Sequence, residues 1–329
     1  MKLLKSLYRV ESPSGKEYRM VDYIESLLKG YGAETYRDSM NNLYAIKGES
    51  DTYPCIVAHT DEVHIDKPKG YDVFLVGEDM LVGIDTIYHG YVGIGADDKN
   101  GIWVALKLFK QQEVVKGAFF VSEEVGCVGS SHADMTFFED CRFVLQCDRR
   151  GSSDFITNAA GVELSTPEFL NDIKIGIFGF KEAKGSITDV MQLKTNGLGV
   201  CAANISCGYY NPHMDTEFTI FSELVNALRL VEHIFNTLTD VYPHEYESYY
   251  SKNSYSYNDD WSLGDEEFLR EEKKYFEMSL VELFEKYDLG ELSHEETSDS
   301  LNELWGEVYL KETDKERLFE RVTGMKVSR

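Results

Sequence analysis

The stretch Pro54-Cys55-Ile56-Val57-Ala58-His59 constrains the fold more than any other in the chain. It is an almost uninterrupted apolar run, which fits an interior strand covered on both faces rather than a strand with one face in water. Strands of that kind belong to parallel sheets, whose connections lay helices over each face. The periodicity of the rest agrees. Helices are predicted over 1–10, 16–30, 99–112, 189–196 and 220–238, and strands over 33–37, 42–47, 54–59, 117–122, 142–147 and 199–206. Met20, Ile24, Leu27 and Leu28 carry the apolar face of the second helix, Gly30 and Gly32 end it, and Ser14 and Glu17 have capping-box spacing at its start. Residues 62–92 read as a hairpin of Gly- and Asp-punctuated strands, and 154–178 as short strands around a polar turn. The alternation predicts an α/β fold with a mostly parallel central sheet sandwiched by helices.

Chemistry gathers at the ends of those strands. The first ends in His59-Thr60-Asp61, another in Glu123-Glu124 and a third at Asp148. Gly93-Ile94-Gly95-Ala96-Asp97-Asp98-Lys99-Asn100-Gly101 sets two adjacent carboxylates between a Gly-rich turn and an apolar helical run, and His213 follows Pro212 in a late loop. Open α/β sheets place ligands beyond the carboxyl ends of their strands. Two His and several carboxylates on one sheet edge suggest a two-metal hydrolytic site.

Taken singly, each position has a plainer reading. His59 and Asp61, at i and i+2, share a face of an extended segment, so Asp61 can orient a ligating His59; a capped strand end would look the same. One carboxylate of Asp97-Asp98 can bridge two cations, or the pair can cap the following helix. Glu123 and Glu124 point opposite ways in extended chain and can serve one site only through a turn, which Gly126 can make. One of the two would then bind metal while the other takes a proton from water. Asp148 and His213 also read as loop polar residues, and His64, His89 and His132 read as non-ligands. Arrival of five acid or His positions at successive strand ends favours the site over separate caps.

Composition excludes other classes. With 58 Asp and Glu against 33 Lys and Arg, the formal net charge is −25, which argues against nucleic-acid phosphate and anionic membrane surfaces as partners. No apolar run approaches the ~20 residues of a membrane helix. Met1 to Ser6 reads as an amphipathic helix start without a secretory core, so a cytoplasmic location is expected. Cys55, Cys127, Cys141, Cys147, Cys201 and Cys207 lie in or beside apolar runs without zinc-knuckle spacing and read as reduced thiols. Composition shifts near residue 240. The domain reading is a catalytic domain over 1–240, a Tyr-rich linker over 241–263 and an acidic helical appendage over 264–329.

Ala58-His59-Thr60-Asp61, Gly95 to Gly101, Ser122-Glu123-Glu124-Val125-Gly126, Asp148 and the His213 loop resemble, in order, the motif set of the co-catalytic zinc exopeptidases. That group includes peptidase T, carboxypeptidase G, glutamyl aminopeptidases and bacterial leucyl aminopeptidases. Ser12 to Glu17 and Gly185 to Asp189 are similar to it as well, and the resemblance covers about residues 1–238. It implies the family's phosphorylase/hydrolase-like α/β fold and two divalent ions, zinc first, with cobalt or manganese as substitutes. His59, Asp97 and Asp148 would bind one ion and Asp97, Glu124 and His213 the other. Asp61 would support His59, and Glu123 would be the general base and acid. The bond after the bridging aspartate is often cis in that family, which implies a cis Asp97–Asp98 bond.

Departures matter too. Only 64 residues separate Asp148 from His213 and 37 separate His59 from Asp97, too few for the lid or dimerisation domain that branches of the family insert at one place or the other. The expected activity is that of an exopeptidase, an aminopeptidase first, acting on peptides. A carboxypeptidase or N-acyl amino-acid deacylase can use the same metals, with Arg149, Arg150 or Lys184 to meet a substrate carboxylate. A different class is an inactive scaffold that binds partners through the acidic tail. Homo-oligomerisation is a further expectation, since Tyr-rich segments favour interfaces.

Overall fold

The computed structural model describes residues 1–65 and 67–246. The acidic appendage expected over 264–329, and the Tyr-rich linker from residue 247 on, lie outside the described residues.

The sheet order follows from the apolar runs. Tyr53–His59 is buried at every position and lies between Val115–Phe120 and Cys141–Arg149, parallel to both. Its side chains alternate between two cores, as the two-residue repeat of a strand requires. Ile56 and Ala58 pack into one core with Leu4, Leu7, Met20 and Ile24 of the first two helices. The helices Ala96–Gln111 and Phe221–Thr237 complete that layer. Cys55 and Val57 enter the other core, beside Phe137, Val190 and Leu193. Each fully buried aliphatic side chain contributes about 1.5–3 kcal/mol, so a strand that feeds both layers fixes its own register. Ala202–Ser206 continues the parallel centre beyond Cys141–Arg149, and antiparallel strands lie toward the margins: Leu43–Lys47 with Glu34–Arg37 on one side, Asp154–Ala159 with Val162–Glu163 on the other. Among the described residues the main sheet has nine strands.

Three local readings change in the structure. The hairpin predicted over 62–92, seen as Tyr71–Val76 and Met80–Asp85 with the short Tyr91–Val92, builds a second sheet with Phe218–Ile220 and Tyr209–Tyr210. Phe218 pairs with Val82 and Ile220 with Met80, so residues far apart in sequence meet, and His213 falls in the loop between the paired strands Tyr209–Tyr210 and Phe218–Ile220. The region 154–178 contains a helix, Pro167–Ile173, where only strands were expected. Its N-terminus is locally specified: Thr166 accepts from Phe169 N at 3.3 Å, and Pro167 occupies the first turn, where its missing N–H costs nothing. The capping box at Ser14 and Glu17 does not form, because both side chains are drawn to the sheet edge described below.

Residues 241–246 stay on the body. Tyr242 N donates to Arg142 O at 3.0 Å, Cys201 N to Tyr242 O at 2.8 Å, and the Tyr242 ring packs edge-on against Phe169. All six cysteines are free and buried. Among the described residues no helix is long and apolar enough to cross a membrane.

Candidate metal centre

His59 ends its strand with the imidazole 1% exposed. Nδ1 faces Asp61, at 3.3 Å from Oδ1 and 3.1 Å from the backbone oxygen, which leaves Nε2 to point into the centre. There it meets Asp97 Oδ1 at 3.0 Å and Asp148 Oδ1 at 3.7 Å. A ring fixed through one nitrogen and free to ligate through the other is the usual state of a metal-binding histidine.

Asp97 lies on a tight turn. Gly95 has φ 63°, a left-handed conformation that costs glycine little, and a Cβ there would collide with the Glu62 carboxylate. The Asp97–Asp98 bond is cis. The two oxygens of Asp97 face different histidines: Oδ1 lies 3.0 Å from His59 Nε2 and Oδ2 lies 3.4 Å from His213 Nε2. His213 Nε2 is also 2.9 Å from Glu124 Oε2. Asp98 has another occupation. Its Oδ1 accepts from Gly101 N at 3.0 Å and its Oδ2 from His59 N at 3.2 Å, so both oxygens hold backbone.

The Glu123-Glu124 pair sits in a turn, as one site for both requires. Gly126 N and Cys127 N each donate to Glu123 O at 2.8 Å, and Ser122 takes φ 55°. Asp61 clamps the turn from below, accepting from Glu123 N at 2.9 Å, Glu124 N at 3.2 Å and Ser14 Oγ at 2.7 Å. Glu17 Oε1 accepts from Ser122 N and Oγ at 3.1 and 3.0 Å. Glu123 Oε1 is 3.3 Å from Cys127 Sγ, which donates to it. Asp148 is held from the sheet, its N–H by Asn204 Oδ1 at 2.9 Å and its Oδ2 by Gln146 Nε2 at 3.1 Å.

Crowding sets the electrostatics. Burial opposes charge on His59, yet the neighbouring Asp148, Asp61 and Asp97 outweigh it and hold its pKa well above the ordinary value. Hydrogen bonds to Asp97 and Glu124 push His213 up to about 11. Burial also raises Asp97, but His213 and His59 overcome it and hold that carboxyl well below the usual range. Burial and the charge of Asp97 raise Asp148 to about 8. Burial lifts Glu123 well above the ordinary carboxylate value, with Asp148, Asp189 and Glu124 adding to it.

Bound cations would relieve this crowding. Glu124 Oε1 is buried with no hydrogen-bond partner, a costly arrangement for a carboxylate unless something positive meets it. Among the described residues, His59, Asp97 and Glu124 form one group whose donor atoms lie within 4.8 Å of one another, and His59, Asp98 and Asp148 form another. Asp98 is already spent on two N–H groups, whereas both oxygens of Asp97 face histidine nitrogens. Imidazole and carboxylate donors in this number fit zinc, cobalt or manganese.

The remaining candidates stand elsewhere. His64 Nε2 lies 3.3 Å from Glu217, His132 Nδ1 meets Ser131 Oγ at 2.9 Å, and neither they nor His89 belong to the two groups; His213 is outside both as well and meets the centre through Asp97 and Glu124. Arg149 Nε is 3.7 Å from Asp154. Sequence reasoning read Glu17 only as a helix cap and overlooked Glu217, Gln146 and Asn204, polar residues without a periodic signal.

No family model matches the chain. It is 40% identical over 63 residues to a candidate aminopeptidase, YhfE of Bacillus subtilis, and the match spans 18% of each chain. An aminopeptidase structure from the archaeon Desulfurococcus kamchatkensis has a TM-score of 0.58 at 17% identity, covering 71% of this chain and 93% of that one. The TET1 peptidase of Pyrococcus horikoshii, which can assemble into a tetrahedron or a large octahedral shell, has a TM-score of 0.53 at 14% identity over 71% of this chain and 98% of its own. The described body thus has the α/β fold of these aminopeptidases, the fold that the resemblance to co-catalytic zinc exopeptidases implied.

Proposed function

We propose that the chain is a metal-dependent exopeptidase, an aminopeptidase that uses two divalent ions, zinc first. The observation that carries this reading is the division of Asp97, one oxygen toward His59 and the other toward His213. A carboxylate so divided can bridge two cations. His59, Asp97 and Asp148 would hold one ion, and Asp97, Glu124 and His213 the other. Two ions in such a centre polarise the scissile carbonyl and make water a better nucleophile near neutral pH.

Glu123 belongs to no ligand group among the described residues and stands beside one, on the turn that carries Glu124. Its raised pKa suits a group that takes a proton from the attacking water and returns it to the departing amine. Asp61 keeps His59 and the Glu123-Glu124 turn in one frame. The carboxylate-rich surroundings favour a substrate with a free α-amine, and the Arg149 nominated to receive a substrate carboxylate pairs with Asp154. The shells formed by TET1 support a homo-oligomeric assembly for this chain as well.

A panel of dipeptides and tripeptides, each with free and N-acetylated amino termini, tests the assignment in protein supplied with zinc, cobalt or manganese. The reading predicts cleavage of the free-amine members. Cleavage confined to acetylated members would move the assignment to a deacylase or carboxypeptidase, and no cleavage by metal-replete protein would favour the scaffold reading.

A further inference from the structure

The two histidines of the centre are anchored very differently. His59 ends a buried strand and is tied to the Asp97 turn through its own N–H, which donates to Asp98 Oδ2 at 3.2 Å. His213 is half exposed, has φ 65°, and lies in the loop at 211–217 with no core packing to hold it. That loop closes through short-range bonds, Met214 N to Asn211 O at 3.3 Å and Glu217 N to Met214 O at 3.0 Å. None of these fixes it against Asp97.

Glu217, at the end of the loop, does. Its side chain is fully buried and reaches the turn that carries Asp97. Oε2 accepts from Gly95 N at 2.6 Å, and Oε1 accepts from Asp97 N at 3.1 Å. His64 Nε2 lies 3.3 Å from Oε2 and completes the set. One carboxylate that receives two backbone N–H groups from a single turn is a two-point clamp, and charge-assisted bonds of this kind are about twice as strong as neutral ones. Thr219, two residues on, bonds Tyr8 and Asn100 and fixes the base of the hairpin, while the bonds to Gly95 N and Asp97 N come from Glu217.

We propose that Glu217 is a positioning residue that sets the spacing between His213 and Asp97, and thereby the affinity of the His213–Glu124–Asp97 metal site more than that of its neighbour. The proposal rests on the two-ion reading above. Asp97 is common to both sites, but Asp98 ties His59 to the turn through bonds that do not involve Glu217, so the His59–Asp97–Asp148 site should lose less when Glu217 is changed. Each histidine segment has its own acid tether to the one turn that both ions share.

Glu217→Gln is the variant of choice, since it keeps one acceptor but sets an amide N–H₂ against the other N–H; Glu217→Ala removes both bonds, with circular dichroism to confirm its fold. Cobalt(II) titration, followed by visible absorption and calorimetry, counts and ranks the sites. Amide hydrogen exchange on metal-free protein reads the clamp directly. The expected result is one site weakened about 10–100-fold, the usual effect of losing a residue that supports a ligand, and the other weakened less. Gly95 and Asp97 amides should also exchange faster. Asp98→Asn should weaken the other site instead. Glu217→Gln protein that binds two ions as wild type does, with unchanged exchange at Gly95 and Asp97, overturns the proposal and leaves the two-ion reading standing. Wild-type protein that takes up no cobalt overturns the two-ion reading first, and the proposal with it.

Discussion

Asp61 Oδ1 accepts a hydrogen bond from Glu123 N at 2.9 Å while the same oxygen lies 3.3 Å from His59 Nδ1. One buried carboxylate therefore orients the first histidine and holds the turn that presents the proposed base. Asp61→Asn replaces one carboxylate oxygen with a donor, which then faces the N–H of Glu123 or of Glu124 in place of an acceptor. Metal affinity should fall about 10–100-fold, with turnover falling alongside it. Titration of the metal-free variant checks this, and wild-type affinity would show that Asp61 only fills space.

Glu123→Gln should separate binding from chemistry. The side chain keeps its size and its contact with Cys127, but it no longer accepts a proton. Turnover should drop about 10²–10⁴-fold, as for other general bases, while two ions remain bound. Loss of an ion in this variant would make Glu123 a ligand.

Metal removal and pH should act together. In metal-free protein His213 is raised to about 11 from 6.5, by hydrogen bonds to Asp97 and Glu124. Asp148 is raised to about 8 from 3.8, by burial and the charge of Asp97. A pKa raised by folding gives stability that is complete below the unfolded value and is lost as pH climbs through the folded one. The metal-free protein should therefore lose stability as pH rises, first through Asp148 and then through His213. Ions compete with those same protons and bind more tightly at higher pH. The gap in Tm between metal-replete and chelator-treated protein should widen between about pH 5.5 and about pH 8.5. Thermal scans across that range check it, and a constant or narrowing gap contradicts it.

Gly101→Ala should reverse the usual helix preference. Replacing a helical glycine with alanine ordinarily stabilises by about 0.5–1 kcal/mol. Here the new Cβ would collide with the Asp98 carboxylate, which bonds Gly101 N and His59 N. Displacing that carboxylate leaves buried donors unmet, a loss of about 1–3 kcal/mol that outweighs the helix gain. Denaturant unfolding of metal-free protein gives the sign.

Much of this was legible in the sequence because it was periodic. The apolar run before His59 reads as a strand buried on both faces, and the structure splits its residues between two cores. Glu124, Asp148 and His213 stood out because each comes after a predicted strand, and Asp97 because it opens an apolar helical run; the structure brings the four together with His59. What stayed hidden depends on pairing between distant segments. Nothing local in Phe218-Thr219-Ile220 says that it joins Met80-Leu81-Val82, and without that sheet Glu217 has no visible partner. Ser14 and Glu17 show the opposite failure: the local capping pattern was present, but Asp61 and Ser122 outcompeted it.

In the proposed centre Asp97 lies between two ions. Anomalous diffraction from crystals soaked with zinc, recorded on both sides of the zinc edge, tests it most directly. Two peaks are expected about 3.5–4 Å apart, one on each side of the Asp97 carboxylate, the first against His59 and Asp148 and the second against His213 and Glu124. A single peak, or two that do not share Asp97, would contradict it.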